Sequence, residues 1–149
     1  MNILYYYANK YNGLVVGTSD RSELLIGYYT KYGDGAVDIL PIGALYKTQV
    51  RKLAEKLGLP RRIVEKPSSP GFWVGHLAED EIGIKYEVID VVLYALFDKG
   101  LKPEEVPRYT GIDQGIVNKI LDMHRRSRHK RVFPPMPRLS WVGEPIKEI

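Results

Sequence analysis

The fold is decided by residues 14–23, which read Leu14-Val15-Val16-Gly17-Thr18-Ser19-Asp20-Arg21-Ser22-Glu23. The first three residues form a short, continuous apolar run, which is typical of a strand buried on both faces of a parallel sheet. The next three predict a tight turn, and Asp20 then begins a helix. A buried strand, a tight turn and a helix in this order indicate an α/β protein.

Helices are predicted on both sides of this stretch. The apolar spacing predicts helices over residues 1–11, 47–57, 61–65, 86–97 and 113–126, and Pro103 opens a further short helix. A second apolar run at residues 39–42 contains Pro41, which argues against a central strand. Since a lone buried strand cannot satisfy its own backbone groups, we expect partner strands from elsewhere or a larger fold.

Composition is that of an ordinary globular protein of one domain. The 149 residues are 44% hydrophobic and 27% charged, with a net charge of +4. Cysteine is absent, which excludes disulfides, a catalytic thiol and Cys-ligated zinc. No apolar run approaches the ~20 residues that cross a bilayer. The N-terminal residues also lack the basic segment of a signal peptide. We therefore expect a cytoplasmic protein without a membrane partner.

One dense basic run, residues 124–131, stands out in the charge pattern. Such a run binds nucleic acid, lipid or a phosphorylated metabolite in some proteins. The alternative is a solvated helix end, where the helix dipole favours positive charge. The charge pattern alone leaves both interpretations open.

Four clusters of residues, taken in order, form a specific pattern. They are residues 17–23, residues 30–35 with Asp38, residues 47–49 and residues 127–131. In this order and spacing they resemble the second half of ammonia-dependent NAD synthetases, and the agreement extends from residue 14 to residue 139. We assign residues 1–139 to the C-terminal part of this synthetase domain and expect residues 140–149 to form an extended tail.

This resemblance implies a fold, a reaction and an assembly. The implied fold is of the adenine nucleotide α-hydrolase type, a Rossmann-like parallel sheet with flanking helices, here incomplete and helix-dominated. The implied reaction belongs to NAD biosynthesis. ATP and Mg²⁺ serve to adenylate the carboxylate of deamido-NAD, and ammonia then displaces AMP to give the amide. The implied assembly is a homodimer, and nucleic acid is not an expected partner.

The resemblance also assigns roles on the ATP side of the site. It implies that Thr18, Lys47 and Ser69 bind ATP and that Glu23 ligates Mg²⁺, which prefers hard oxygen ligands. The alternative for Glu23 is a capping box with Asp20, in which the glutamate accepts a hydrogen bond from a backbone amide. A lysine at a helix start opposes the helix dipole, which favours a ligand role for Lys47. Ser69 lies in a Pro/Gly/Ser-rich stretch, residues 67–81, which is long enough to be a functional loop.

On the dinucleotide side, the resemblance implies that deamido-NAD binds to Lys31, Asp38, His129 and Lys130. A lysine suits a phosphate or carboxylate, and an aspartate suits ribose hydroxyls or another polar edge of the dinucleotide. The alternative for the first two residues is an ordinary surface turn. For His129 and Lys130, the alternative is that they belong to a solvated basic run.

The phosphate-binding signature of the family, Ser-Gly-Gly-x-Asp-Ser, is not found among these residues. The sequence contains no Gly-Gly pair, and Met1 aligns well into the second half of the family. We therefore expect the pyrophosphate loop to lie upstream and this chain by itself to be inactive, because the donors that hold the leaving group are missing. A fragment, a truncated reading frame, a split gene and a reduced paralogue all fit this pattern.

A helix-turn-helix DNA-binding module is the main competing interpretation. Residues 103–131 contain a short helix, a turn at Gly111, a second helix and the basic run. Pro107 in the first helix argues against it, as do the apolar residues of the second, Ile116, Val117, Ile120 and Leu121. A third interpretation is a non-catalytic paralogue that only dimerises.

Overall fold

The computed structural model describes residues 1–137, and most of them are helical. The helices are α1 (Asn2–Tyr11), α2 (Arg21–Ile26), α3 (Lys47–Lys56), α4 (Arg61–Val64), α5 (Ala78–Ile82), α6 (Tyr86–Leu93), α7 (Val106–Thr110), α8 (Gln114–Arg126) and α9 (Arg128–Arg131). A π-helical segment, Tyr94–Asp98, continues α6 without a break. The tail predicted at residues 140–149 lies outside the described residues. No helix within residues 1–137 is long and apolar enough to cross a membrane.

Most of the predicted helices are confirmed, and their ends follow the local chemistry. α1 ends at Tyr11, and the next residue, Asn12, adopts the left-handed conformation with a φ of 52°. α8 begins after Asp113, whose Oδ1 accepts a hydrogen bond from the Gly115 amide at 2.7 Å. These ends are set by residues next to each other in sequence, which is why the sequence predicts them.

Two predicted segments have different bounds in the structure. The loop predicted over residues 67–81 ends in α5, where Ala78 and Ile82 lie one turn apart and are both buried. With five residues, α5 is too short for its apolar spacing to be recognised. The helix predicted to open at Pro103 begins at Val106 instead. Pro107 then occupies the first turn, where an amide would have no intrahelical partner.

The predicted parallel sheet is not confirmed in residues 1–137, where a single parallel bridge joins Val16 to Ile39. The Asp38 amide donates to the Val15 carbonyl at 2.9 Å. The Val15 amide donates in turn to the Asp38 carboxylate at 2.7 Å. This amide is therefore paired with a side chain and not with the carbonyl of a neighbouring strand. Pro41 follows closely and has no N–H with which to extend the pairing. The described residues are therefore helix-dominated, as expected, with a bridge where the sequence predicts a strand.

α6 forms the centre of the hydrophobic core. Its side chains Tyr86, Ile89, Val92 and Leu93 are fully buried, and it packs against α2, α3, α7 and α8. The neighbouring segments complete the core with Ile26, Tyr46, Ala78, Ile82, Val106, Val117 and Ile120. The spacing of apolar residues predicts a buried side made of Ile89, Val92, Leu93, Leu96 and Phe97. The first three are fully buried, whereas Phe97, in the π-helical continuation, is 38% exposed.

α1 lies outside this core. The spacing of Ile3, Leu4, Tyr7 and Ala8 predicts an apolar stripe on this helix, and that stripe is largely exposed. Ile3 is 72% exposed and Tyr7 is 49% exposed in the described part of the chain. Val16, which forms the bridge, is 56% exposed, and Leu14 is 66% exposed. We call Ile3 and Tyr7 of α1, together with Leu14 and Val16, the α1 surface.

The basic run binds the carboxyl end of α2. Lys130 Nζ donates to the carbonyls of Gly27 and Tyr29 at 2.7 Å and 2.5 Å. Arg131 Nη1 donates to the Leu25 carbonyl at 3.1 Å. The last carbonyls of a helix lack intrahelical partners and carry partial negative charge, so these two cations stabilise α2.

This packing does not support the helix-turn-helix interpretation. α8 buries Val117 and Ile120 completely in the core, so that face cannot enter a groove of DNA. Lys130 and Arg131, which would contact phosphates, donate to carbonyls within the chain. The apolar side of the second helix and the end of the basic run are therefore both used for folding.

We predict that Gly27→Ala destabilises the fold more than a matched glycine substitution. Gly27 has a φ of 74°, and a Cβ there would lie 2.0 Å from Ser127 Cβ. Gly58 has a φ of 73° with no atom within 4 Å of such a Cβ. Gly58→Ala should lower the free energy of unfolding by about 1–2 kcal/mol, the cost of a left-handed alanine. Gly27→Ala should lower it further, because the junction of α8 and α9 must move. Urea denaturation measures both losses, and equal losses would contradict the prediction.

Candidate functional site

A cleft of about 540 Å³ beside α2 is the candidate functional site. Its walls come from the turn before α2, residues 27–34 after α2, the loop at residues 68–72, α5 and α9. The polar groups on these walls include Thr18, Glu23, Tyr28, Asp34, Ser69 and Lys130. A concave site of this size with a few convergent polar groups fits a small-molecule ligand.

The cleft brings together four of the residues that the sequence predicts for the site, namely Thr18, Glu23, Ser69 and Lys130. Lys47 is bonded to this group, since its Nζ lies 2.7 Å from Glu23 Oε1. Residues separated by more than a hundred positions in sequence therefore meet at one site. Their contacts with ATP, Mg²⁺ and deamido-NAD stay predictions.

The other three predicted residues, Lys31, Asp38 and His129, do not line the cleft. Lys31 Nζ lies 5.3 Å from the centre of the Tyr32 ring. Asp38 accepts a hydrogen bond from the Tyr5 hydroxyl at 3.2 Å, in addition to its bond with the backbone. His129 is exposed on α9. Their binding of deamido-NAD stays a prediction, and Asp38 has a structural role beside the bridge.

Glu23 takes part in the capping box that the sequence offers as the alternative. Glu23 Oε2 accepts the Asp20 amide at 3.0 Å, and Asp20 Oδ1 accepts the Glu23 amide at 3.0 Å. Both amides belong to the unpaired donors of a helix start, so this exchange stabilises α2. Burial raises the pKa of Glu23, the Asp20 charge raises it further, and Lys47 offsets part of the increase. The cap uses only Glu23 Oε2, and the other oxygen, Oε1, faces Lys47.

Lys47 lies between two carboxylates. Its Nζ is 2.6 Å from Asp20 Oδ2 and 2.7 Å from Glu23 Oε1, and its side chain is 14% exposed. The ammonium also lies 5.2 Å from the centre of the Tyr86 ring. Burial lowers the pKa of Lys47, but the charges of Glu23 and Asp20 outweigh burial and the pKa is raised. Lys47 is therefore held as a cation at the start of α3.

A third carboxylate, Asp90 on α6, joins α2 to α3 beneath the site. It is buried, and it accepts hydrogen bonds from the Ser22 hydroxyl and from the Thr48 amide, the latter at 2.8 Å. Ser22 Oγ accepts the Lys47 amide at 2.9 Å. Burial raises the pKa of Asp90 despite these bonds. Asp90 therefore caps α3 and fixes the backbone of Lys47 relative to α2.

The loop before α5 lies along the cleft, and His76 is its buried anchor. His76 Nε2 lies 2.7 Å from Glu81 Oε2, which also accepts the Tyr28 hydroxyl at 2.5 Å. Trp73 stacks on the His76 ring with the ring centres 3.5 Å apart. The bonds from Tyr28 and His76 lower the pKa of Glu81. The loop that carries Ser69 is thereby tied to the end of α2.

Within residues 1–137, no three His, Cys, Asp or Glu side chains come together as a metal centre. Glu23 places a carboxylate on the cleft wall. Mg²⁺ is commonly bound by one or two carboxylates together with substrate phosphates and water. The donor at Glu23 therefore fits Mg²⁺ bound with a nucleotide.

The NAD synthase family model matches residues 1–134 of this chain. The chain belongs to the NAD synthase family. It is 69% identical over 149 residues to an NH₃-dependent NAD⁺ synthetase of Staphylothermus marinus, covering 100% of this chain and 54% of that relative. It is 64% identical over 137 residues to that of Hyperthermus butylicus, covering 92% of this chain and 50% of the relative. The chain thus spans about half the length of these relatives.

Solved structures of NAD synthase relatives share this part of the fold. The NMN synthetase from Francisella tularensis has a TM-score of 0.76 at 38% identity, covering 92% of this chain and 52% of that one. The NH₃-dependent NAD synthetase from Campylobacter jejuni, in complex with the nitrate ion, has a TM-score of 0.72 at 32% identity. It covers 93% of this chain and 51% of that one. The resemblance predicted from the four sequence clusters is confirmed.

Sequence reasoning missed several residues at and beneath this candidate site. Asp90 had a local signal, because it is a carboxylate inside the apolar run Ile89-Asp90-Val91-Val92-Leu93. Asp20 was recognised as a helix start only, since nothing in the sequence places Lys47 beside it. His76 and Glu81 had no distinguishing signal. Pairs that meet only after folding cannot be read from the spacing of residues.

We predict that Asp90→Ala lowers the free energy of unfolding by about 2–3 kcal/mol, because it leaves the buried Ser22 hydroxyl and the partly buried Thr48 amide without their acceptor. Asp122→Ala is the control, since its side chain is 60% exposed and lies 3.9 Å from Arg125. This control should change stability by no more than about 0.5 kcal/mol. Urea denaturation followed by circular dichroism compares the two variants, and similar values for both would refute the capping role.

Proposed function

We propose that this chain carries the ATP- and metal-binding part of an ammonia-dependent NAD synthetase. The whole protein would be a cytoplasmic homodimer that amidates deamido-NAD through an adenylated intermediate. One observation carries the proposal: Thr18, Glu23, Ser69 and Lys130 line one cleft, with Lys47 bonded to Glu23. Membership of the NAD synthase family supplies the class of reaction.

The ATP phosphates are the ligand for which this part of the site is best suited. Thr18 and Ser69 offer hydroxyl groups on the cleft wall. Lys47 supplies a positive charge next to the wall, where it is bonded to Glu23. In the proposal, Lys47 offsets the negative charge that builds on the phosphoryl groups during adenylation. Because the buried Asp20 carboxylate already holds its ammonium at 2.6 Å, little reorganisation is needed when ATP binds.

Mg²⁺ would be held by Glu23 beside the ATP phosphates, where it neutralises phosphate charge. The capping box uses Glu23 Oε2 as the acceptor of the Asp20 amide. Glu23 Oε1 is the oxygen that faces Lys47, and a carboxylate has about four lone-pair sites in all. Capping of α2 and binding of a metal are therefore compatible roles for one side chain.

Deamido-NAD is proposed to contact the basic end of the described chain. Lys130 lines the cleft and uses two of its three donors for the carbonyls of Gly27 and Tyr29. The other proposed contacts lie away from the cleft, so the dinucleotide would extend beyond it to Lys31, Asp38 and His129.

A mononucleotide substrate is a second candidate, since one structural relative is an NMN synthetase with a TM-score of 0.76. Amidation acts on the nicotinate carboxylate in either case. The two substrates differ by the AMP moiety, which lies away from the reacting carboxylate. Comparison of deamido-NAD with nicotinate mononucleotide at equal concentration distinguishes these candidates.

The activity test uses the completed enzyme, which we define as this chain joined to the N-terminal half of the Staphylothermus marinus relative. We expect NAD formation from deamido-NAD, ATP, Mg²⁺ and ammonia by the completed enzyme and none by the 149-residue chain alone. Pyrophosphate release without ammonia reports adenylation separately. A folded completed enzyme that acts on neither substrate would contradict the proposal and favour the non-catalytic paralogue.

We predict that Glu23→Gln in the completed enzyme separates the capping role from the metal role. Glutamine can still accept the Asp20 amide, so α2 should stay capped. Loss of the charge should raise the Mg²⁺ requirement and slow adenylation by roughly 100-fold, the scale of one strong electrostatic contact at a transition state. Pyrophosphate release at varied Mg²⁺ measures both effects.

Thermal melting is the control for this variant, because Glu23→Gln also removes the ion pair with Lys47. A variant that melts near the wild-type temperature and keeps its rate and Mg²⁺ dependence would assign Glu23 to capping alone. It would also weaken the assignment of Lys47 to the ATP phosphates.

A further inference from the structure

Asp20 has one more carboxylate oxygen than the cap of α2 requires. Its Oδ1 accepts the Glu23 amide at 3.0 Å, and this bond is the cap. Asn and Ser cap helices about as well as Asp, so capping needs no negative charge here. The Asp20 side chain is only 1% exposed, and a buried carboxylate is costly unless it is paired. The charge of Asp20 therefore calls for a reason other than the cap.

The second oxygen of Asp20 faces Lys47. Asp20 Oδ2 lies 2.6 Å from Lys47 Nζ, and the same ammonium lies 2.7 Å from Glu23 Oε1. The two carboxylates differ in their access to a ligand. Glu23 is on the cleft wall, whereas Asp20 is fully buried. A bound cation can therefore compete with Lys47 for Glu23, but it cannot reach Asp20.

We propose that Asp20 is a positioning residue, which keeps the Lys47 ammonium in place when the Glu23 carboxylate binds a divalent cation together with ATP. This inference rests on the proposed function, in which Glu23 ligates Mg²⁺ and Lys47 contacts the ATP phosphates. Asp20 itself touches neither the nucleotide nor the cation.

The charges of the three side chains give the direction of the effect. Asp20, Glu23 and Lys47 together carry a formal charge of −1, which attracts a divalent cation. Without the Asp20 charge the group is formally neutral, and Glu23 becomes the carboxylate on which Lys47 depends. A cation must then compete with Lys47 for Glu23, so the affinity of the site for the cation falls.

A purely structural ion pair between Asp20 and Lys47 is the alternative. That role would change the stability of the α2–α3 contact and leave the affinity for a divalent cation unchanged. Asp20→Asn separates the two roles, because asparagine keeps the acceptor that caps α2 and removes the charge that faces Lys47.

The test measures Mn²⁺ binding to the completed enzyme by electron paramagnetic resonance, in the presence of α,β-methylene-ATP. We expect Asp20→Asn to bind Mn²⁺ on the order of tenfold more weakly, since a unit charge at this range acts strongly at the effective dielectric of a protein. Asp113→Asn is the matched control. It makes the same substitution at the cap of α8, where Asp113 Oδ1 accepts the Gly115 amide at 2.7 Å.

A double-substitution cycle tests whether Asp20 acts through Lys47. In a Lys47→Gln background no ammonium competes for Glu23, so Asp20→Asn should change the Mn²⁺ affinity less than it does in the wild type. An equal change in both backgrounds would mean that Asp20 acts only as a distant charge, which would overturn its positioning role.

The remaining outcomes distinguish this inference from the proposed function. Equal Mn²⁺ affinity in wild type and Asp20→Asn would overturn the role of Asp20 and leave the metal site standing. Absence of Mn²⁺ binding by folded wild type would overturn the metal site and this inference together. If Asp20→Asn does not fold, Asp20→Ser is measured in the same way. Failure of both uncharged caps to fold would assign Asp20 to stability and overturn the proposal.

Discussion

Charged side chains bind both ends of α2, and the rest of the site depends on these contacts. With six residues, α2 is far below the ~12–15 residues at which an isolated helix becomes even marginally stable. At its amino end, Glu23 closes the capping box and also bonds to Lys47. At its carboxyl end, Lys130 donates to the Gly27 carbonyl. The bonds to the Asp20 amide and the Gly27 carbonyl pair backbone groups that have no intrahelical partner at the ends of so short a helix.

The same atoms serve folding and the proposed chemistry. Glu23 caps a helix and lines the cleft, while Lys47 pairs with two carboxylates and is the proposed phosphate contact. Buried charges destabilise a fold unless their partners are well placed. Here the apolar core around α6 supplies the stability, and Asp90 on that helix fixes the backbone at the start of α3. A rigid core therefore holds the charged groups in position.

The carboxyl end of α2 also organises the loop that carries Ser69. Tyr28 follows α2 and shares Glu81 with His76, the buried anchor of that loop. The loop, α2 and α9 therefore meet around one cleft, and movement of any of them would change its shape. In contrast, the α1 surface has no part in the cleft.

The sequence by itself determined most helices and the family, because caps, breakers and apolar spacing act between residues close in the chain. It also predicted four residues of the cleft through a pattern shared with the NAD synthase family. The exposure of α1 depends on which segments pack against it. Likewise, the strand is reduced to a bridge at Val16 because its pairing depends on a segment distant in sequence, residue 39. Only the tertiary structure placed Asp20 and Asp90 around Lys47, because hydrogen bonds and ion pairs form at about 3 Å. That distance is reached only after α2, α3 and α6 have packed.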